Sequence, residues 1–249
     1  MDVLRAILIR VGADSKYGRW HSPVDPVSNE FVYVPIPEPR DCRPGLATQY
    51  ASLRSALETF AAGRPEVPRR HVELPAHLIG GAMHLDPDFE NQTYGDTPVR
   101  ARRLSEFERG DAVVFYGGLR PTAPCEHRLV YAIIGFFMVR EVVRVRDVPP
   151  ERWPENAHTR RLVPRDDDVI VRADPATSGR LRRCIPIGEW RERAYRVRRE
   201  ILDAWGDLSC RNGFLQLSGV PPTFRDPRRF MRWFEKQGPE LVSMNNPPY

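Results

Sequence analysis

Residues 128–145, "RLVYAIIGFFMVREVVRV", constrain this chain more than any other stretch. β-Branched and aromatic residues dominate it, so it reads as one long strand or two bent ones, with Gly135 at the bend. Its apolar part, Leu129–Val139, has 11 residues. A helix needs about 20 to cross a bilayer, and the run lies too far from the N-terminus to be a secretory signal. No membrane partner is therefore expected, and the protein is expected to be cytoplasmic.

A second strand signal precedes it in "GDAVVFYGGLR", residues 110–120. Two readings of its end stand. Gly117 and Gly118 either let a ligand or another backbone approach, with Arg120 at the rim to meet a phosphate or base edge, or they form a hairpin turn. Elsewhere "VLRAILIRVG" (3–12) predicts a buried opening strand and "FVYVPIPEP" (31–39) an edge strand stopped by prolines. "VIVRA" and "GRLRRCIPIG" predict two short strands. Helices are expected over 45–63, over 189–205 with Trp190, Tyr195, Ile201, Leu202 and Trp205 inward, and over 225–238. Asp226 is a plausible N-cap for the last, with Pro227 at its first position. No repeat and no clear linker divides the 249 residues, so a single composite α+β domain is expected.

Charge points to a partner. The net charge is +5 and the pI about 9.2, which favours a nucleotide or nucleic acid. The basic residues are nearly all arginine, with Lys16 and Lys236 the two lysines, a bias that GC-rich coding alone also produces. Cys42, Cys125, Cys184 and Cys210 are widely spaced with no C-x-x-C pair, which argues against a structural zinc site or a disulfide framework.

Four stretches carry residue types that do chemistry. In "HLDPDF", His84, Asp86 and Asp88 alternate, and an extended backbone would send all three to one side, with Pro87 stiffening the chain between the carboxylates. Such a trio suits a divalent metal or a division of acid and base roles; the alternative is a surface turn in which Asp86 caps a helix. "GADSKYGRW" offers Asp14, Ser15, Lys16, Tyr17 and Arg19 in a loop beyond the first strand, suited to a nucleotide phosphate or to an ordinary Asx turn. "ENAHTRR" surrounds His158 with Arg160 and Arg161, a setting for a phosphate or a base. Tyr94 of "YGD" and Tyr116, beside Gly117, Gly118 and Arg120, complete the expected aromatic and basic pocket. No G-x-S-x-G elbow, dinucleotide fingerprint or zinc deaminase signature is present.

Residues 104–145 resemble the core strands of PUA-like barrels of the ASCH and EVE kind, which bind RNA or modified bases. A broader resemblance spans most of the chain. "ILIRVGADSKYG", "VYVPIPE", "HLDPDF", "YGD", "GDAVVFYGGLR" and "NAHTRR" occur in the order found in the third nucleotide modification associated domain family. That resemblance implies a mixed PUA-like barrel with added helices and a role in modifying bases of DNA or nucleotides, as an enzyme or as a non-catalytic reader. The expected catalytic residues are Asp14, His84, Asp86, Asp88 and His158. Ser15, Lys16, Tyr17, Arg19, Tyr94, Tyr116, Gly117, Gly118, Arg120 and Arg160 are the expected nucleotide contacts. The competing expectation is a structural protein whose arginine-rich 189–205 helix docks an acidic partner.

Overall fold

The computed structural model describes residues 5–64, 66–97, 102–216 and 219–248. The two apolar runs become β6 (Ala112–Pro121) and β7 (Val130–Arg144), paired antiparallel from Ala112 opposite Met138 to Leu119 opposite Val130. Gly117 and Gly118 lie inside this ladder, opposite Ala132 and Tyr131, and so make no turn. The other edge of β7 serves two neighbours: residues from Ala132 to Phe136 pair with β9 (Gly179–Pro186), and those from Val139 onward pair with β8 (Val169–Ala173). Register shifts beside Gly135 and after Val139 bend the strand between them.

Around this pair, β1 (Ala6–Arg10) runs parallel to β6 and β5 (Thr93–Asp96) pairs with β8, giving the order β1-β6-β7-β8-β5. The short strands β2 (Pro23–Val24) and β12 (Leu241–Val242) add to β6 and β9. Single bridges from Val24 to Phe31 and from Glu30 to Arg183 run between β2 and β9. No continuous ladder among the described residues closes the sheet into a barrel. The architecture is α+β, a large mixed sheet with helices packed around it.

Both faces of the sheet are covered, which is why the strands read as unbroken apolar runs. One face packs Ile7, Ile9, Val113, Phe115 and Phe137 together with Tyr33 and Phe89. The other packs Leu8, Val114, Tyr116 and Phe136 under Trp205, Phe230 and Phe234, which come from α4 (Arg199–Trp205) and α5 (Pro227–Lys236). A further cluster joins Trp20, Val32 and Val34 to Tyr50, Leu57 and Phe60 of α1 (Arg54–Ala62) and the 3₁₀ turn before it, and to Leu78 of α2 (Ala76–Ile79). Among the described residues no helix is long and apolar enough to cross a membrane.

Three expectations need correction. The helix foreseen over 189–205 is a hairpin, β10 (Gly188–Arg191) and β11 (Ala194–Val197), followed only then by the seven residues of α4. Glu192 and Arg193 make its turn with positive φ, and Trp190 sits opposite Tyr195 with more than half its surface exposed. Trp190 and Tyr195 share one broad helical arc with Ile201, Leu202 and Trp205, yet they also suit a cross-strand pair, so spacing alone misassigned them. In Phe31–Pro39 only Ile36–Pro37 joins a ladder, as β3 against β4 (Met83–His84). The helix foreseen over 45–63 is shortened to α1, with the 3₁₀ turn Tyr50–Leu53 before it. The last helix starts as expected: Pro227 is its first residue, and the Asp226 carboxylate accepts a hydrogen bond from the Arg229 N–H at 2.9 Å.

Candidate functional site

The site is built from the "HLDPDF" segment outward. Leu85 and Phe89 are core residues, and Phe89 meets Tyr33, Phe115 and Phe137 edge to face at 5.4–5.9 Å. Gly135 makes room for that ring, since a Cβ there would overlap it. With Leu85 and Phe89 anchored, His84 and Asp86 are carried to the opposite side, and the chain passes through a cis Asp86–Pro87 peptide. Asp88 takes a third direction. Its carboxylate accepts from the Glu90 and Asn91 N–H groups, from Asn245 Nδ2 at 3.2 Å and from Arg160 Nη2 at 2.7 Å. Alternation along the segment therefore does not bring the three side chains together.

His158 joins His84 and Asp86 instead. It lies on the single-turn helix α3 (Ala157–Arg160), where the Asn156 side chain, at the N-cap, accepts the His158 N–H at 2.9 Å. The two imidazole centroids are 4.9 Å apart. Asp86 Oδ2 stands 3.7 Å from His84 Nε2 and 3.4 Å from His158 Nε2. The Asp86 carboxylate is fixed by the Gly95 N–H at 2.8 Å and by Asn156 Nδ2 at 3.2 Å. Gly95 on β5 also admits the His158 ring, which any Cβ there would strike. These three side chains are buried and offer ligand atoms within 4.8 Å of one another, the group among the described residues able to hold a metal ion.

Behind each imidazole stands a carboxylate. His84 Nδ1 lies 2.5 Å from Glu38 Oε2, and His158 Nδ1 lies 2.5 Å from Asp168 Oδ2. The β3–β4 ladder sets His84 opposite Ile36, two residues before Glu38, and Asp168 is the residue before β8. Arg161 spans both carboxylates, with Nε 3.2 Å from Glu38 and Nη1 3.4 Å from Asp168. Burial works against the Glu38 carboxylate, but contacts with His84 and Arg161 outweigh it and hold its pKa below the ordinary value. Burial lowers the pKa of His84 despite its hydrogen bond to Glu38. Burial pulls on His158 too, yet hydrogen bonds to Asp168 and Asp86 win and raise it. Two adjacent imidazoles are thus pushed apart in proton affinity.

This cluster lies in the wall of a cavity of about 230 Å³ whose rim includes Arg10, Asp14, Tyr17, Tyr94 and Asp96. Asp14 accepts from the Lys16 and Tyr17 N–H groups at 2.7 Å and pairs with Arg10 Nη2 at 2.8 Å, so it closes its own loop. Tyr94 donates its hydroxyl to Asp96 at 2.6 Å. The Lys16 ammonium rests over the Tyr17 ring. Ser15, Arg19 and Arg120 line a separate groove on the far side of the same loop, with His21, His127, Arg128, Trp190 and Tyr195. Gly118 accepts from His21 Nδ1 at 2.9 Å across β6, while a Cβ on Gly117 would press on the Val11 carbonyl. The close approach at these glycines is therefore by the protein's own chain. Tyr116 is fully buried and donates to the Leu215 carbonyl. Arg160 is turned from the cavity, held by Asp88, the Pro154 carbonyl and Thr48.

Sequence reasoning missed Glu38 and Asp168; of the neighbours it gave His158, Asn156 and Arg161 reach the cluster, while Arg160, expected as a nucleotide contact, does not. Glu38 sits inside a proline-flanked stretch and Asp168 ends the run "RDDD"; neither has a local pattern that marks it.

Fold and site together define a mixed-sheet α+β protein with a buried histidine–carboxylate cluster opening on a small cavity. The sequence model of the family described as nucleotide modification associated domain 3 matches residues 5–207, and the chain belongs to that family. No curated protein and no solved structure gives a match. The matched span includes every residue of the cluster. The family description ties the chain to nucleotide modification.

Proposed function

We propose that this protein is an enzyme of base modification, taking one base of a nucleotide or nucleic acid into the cavity lined by His84, Asp86 and His158. The single observation that carries the reading is the buried cluster itself. A reader of modified bases has no use for two buried imidazoles, each backed by a carboxylate and both turned on Asp86 in a cavity wall, whereas chemistry on a base does. The cavity, about 230 Å³, is smaller than the roughly 300–1,000 Å³ typical of sites for larger ligands, which favours one extruded base over a dinucleotide.

The loop 12–20 supports a path for the rest of the substrate. Its Asp14 and Tyr17 edge the cavity, and its Ser15 and Arg19 edge the groove that holds Arg120, Arg128 and exposed Trp190. A guanidinium-lined groove with an aromatic face suits a phosphate flanking the base and stacking of the next base. The membership in a nucleotide-modification family agrees with this assignment.

The test is direct. Purified protein is incubated with single-stranded and duplex oligonucleotides and with free nucleotides, binding is followed by fluorescence anisotropy, and digested nucleosides are weighed by mass spectrometry. The proposal expects salt-sensitive binding and, once any co-substrate in a cell extract is supplied, a nucleoside mass shift that His158→Gln abolishes. Absence of binding to all three substrates sinks it. Binding without any mass shift under extract supplementation would make the protein a reader.

A further inference from the structure

We infer that His84, Asp86 and His158 form a three-ligand centre for one divalent first-row transition metal, with Glu38 and Asp168 orienting its imidazoles and Asp88 excluded from it. The argument starts from tautomers. At 2.5 Å from a carboxylate oxygen, each Nδ1 carries the proton it donates, so a neutral ring held this way keeps its lone pair on Nε2. Both rings are held this way, so in the neutral form that binds a metal both present their Nε2 lone pairs.

Those lone pairs meet a third acceptor. Asp86 Oδ2 lies 3.4 and 3.7 Å from the two Nε2 atoms, and its carboxylate is already oriented by the Gly95 N–H and Asn156. Three acceptors turned on one point repel unless a cation stands between them. The distances discriminate between the cations. A shared proton would draw one Nε2 to about 2.7–2.9 Å from the carboxylate, as in charge-assisted hydrogen bonds. Ligands at about 2.0–2.2 Å from a tetrahedral metal are about 3.4 Å from one another, close to the 3.4 and 3.7 Å between Asp86 and the two imidazoles, and all three ligand atoms lie within 4.8 Å.

Charge gives the same answer. The side chains of Glu38, Asp86 and Asp168 are buried, and Arg161 is the cation paired with two of them. With neutral imidazoles the sum is −2, from three negative charges and one positive. A divalent ion bound to the neutral rings neutralises that sum. The carboxylate–histidine pairs are also the outer partners that fix ligand orientation in metal sites. Two imidazoles and one carboxylate leave coordination positions open, and since all three side chains line the cavity, a bound metal would act there as a Lewis acid or hold a reactant.

Metal uptake is measured with no nucleotide present, so its result is separate from that of the proposed function. Chelator-stripped wild-type protein is titrated with zinc by calorimetry and with cobalt(II) by visible absorption, and the as-purified protein is assayed by elemental analysis. One equivalent per chain is expected, with the ligand-field bands of a low-coordinate cobalt site. Asp86→Asn and His158→Gln should each lower affinity at least about a hundredfold. Asp168→Asn, which removes only the charge behind His158, should lower it about tenfold to a hundredfold. Asp88→Asn should keep the full stoichiometry. Should a ligand variant fail to fold, X-ray absorption of the zinc-loaded wild type decides the matter: two imidazoles and oxygen neighbours are expected. A folded wild type that takes up none of zinc, iron(II), manganese(II) or cobalt(II), or a zinc shell lacking imidazole, would overturn the assignment.

Discussion

Asp88→Asn separates the two aspartates of "HLDPDF" by measurement. Asp88 is buried, and its carboxylate receives the Arg160 guanidinium at 2.7 Å as well as the Asn245 amide and two backbone N–H groups. The amide keeps one acceptor for the backbone but removes the charge and turns an NH₂ toward Arg160 or Asn91. Breaking a buried ion pair from one side costs about 3–5 kcal/mol. Arg160 retains the Pro154 carbonyl and Thr48 Oγ1, which places this case near the lower end, at about 3 kcal/mol. For a chain of this size that corresponds to a fall in Tm of about 6–12 °C. Urea unfolding with an unchanged m-value, beside calorimetry, reads both quantities. Because Asp88 faces away from the cavity, zinc stoichiometry should stay intact. A stability loss under about 1 kcal/mol, or loss of metal uptake at wild-type stability, would refute the structural role argued for this residue.

Three other outcomes are expected. Gly95→Ala drives a methyl group into the His158 ring, so it should weaken zinc binding without removing a ligand and cost about 1–3 kcal/mol of stability, read by calorimetry of zinc uptake and by urea unfolding. Arg120→Ala should weaken oligonucleotide binding about tenfold to a hundredfold and flatten its salt dependence in anisotropy titrations, with Tm unchanged, since this side chain borders an open groove. Asp25 has a folded pKa below its ordinary 3.8, because hydrogen bonds from the Val27 N–H, Ser28 and Arg64 outweigh the effect of burial. Its contribution is present above pH 3.8 and is lost as pH falls through the lower folded value, so Asp25→Asn should destabilise at pH 7 and converge on the wild type in acid unfolding.

Much of the sheet was legible because burial on both faces leaves a direct compositional trace: the runs at 112–121 and 130–144 have little choice but to be interior strands. The Asp226–Pro227 helix start was legible for a similar reason, since a side chain capping its own neighbours is a local event. The segment 189–205 failed because its aromatic and arginine spacing fits two periods, and only the packing of Tyr195 onto Tyr131 selects the hairpin. The "HLDPDF" motif was recognised as chemical from its residue types, but alternation could not say that Leu85 and Phe89 would anchor in the core and send Asp88 to Arg160.

By itself the sequence determined which segments must be buried, which short loops carry ionisable groups, and to which family the chain belongs. Only the tertiary structure decided that His84 and Asp86 meet His158, that Glu38 and Asp168 stand behind the two imidazoles, and that Arg161 rather than Arg160 faces them. Hydrophobic burial follows from composition along a few neighbouring residues. The pairing of buried charges follows from where the chain returns in space, and for residues as far apart as 38 and 168 the folded sheet sets that path.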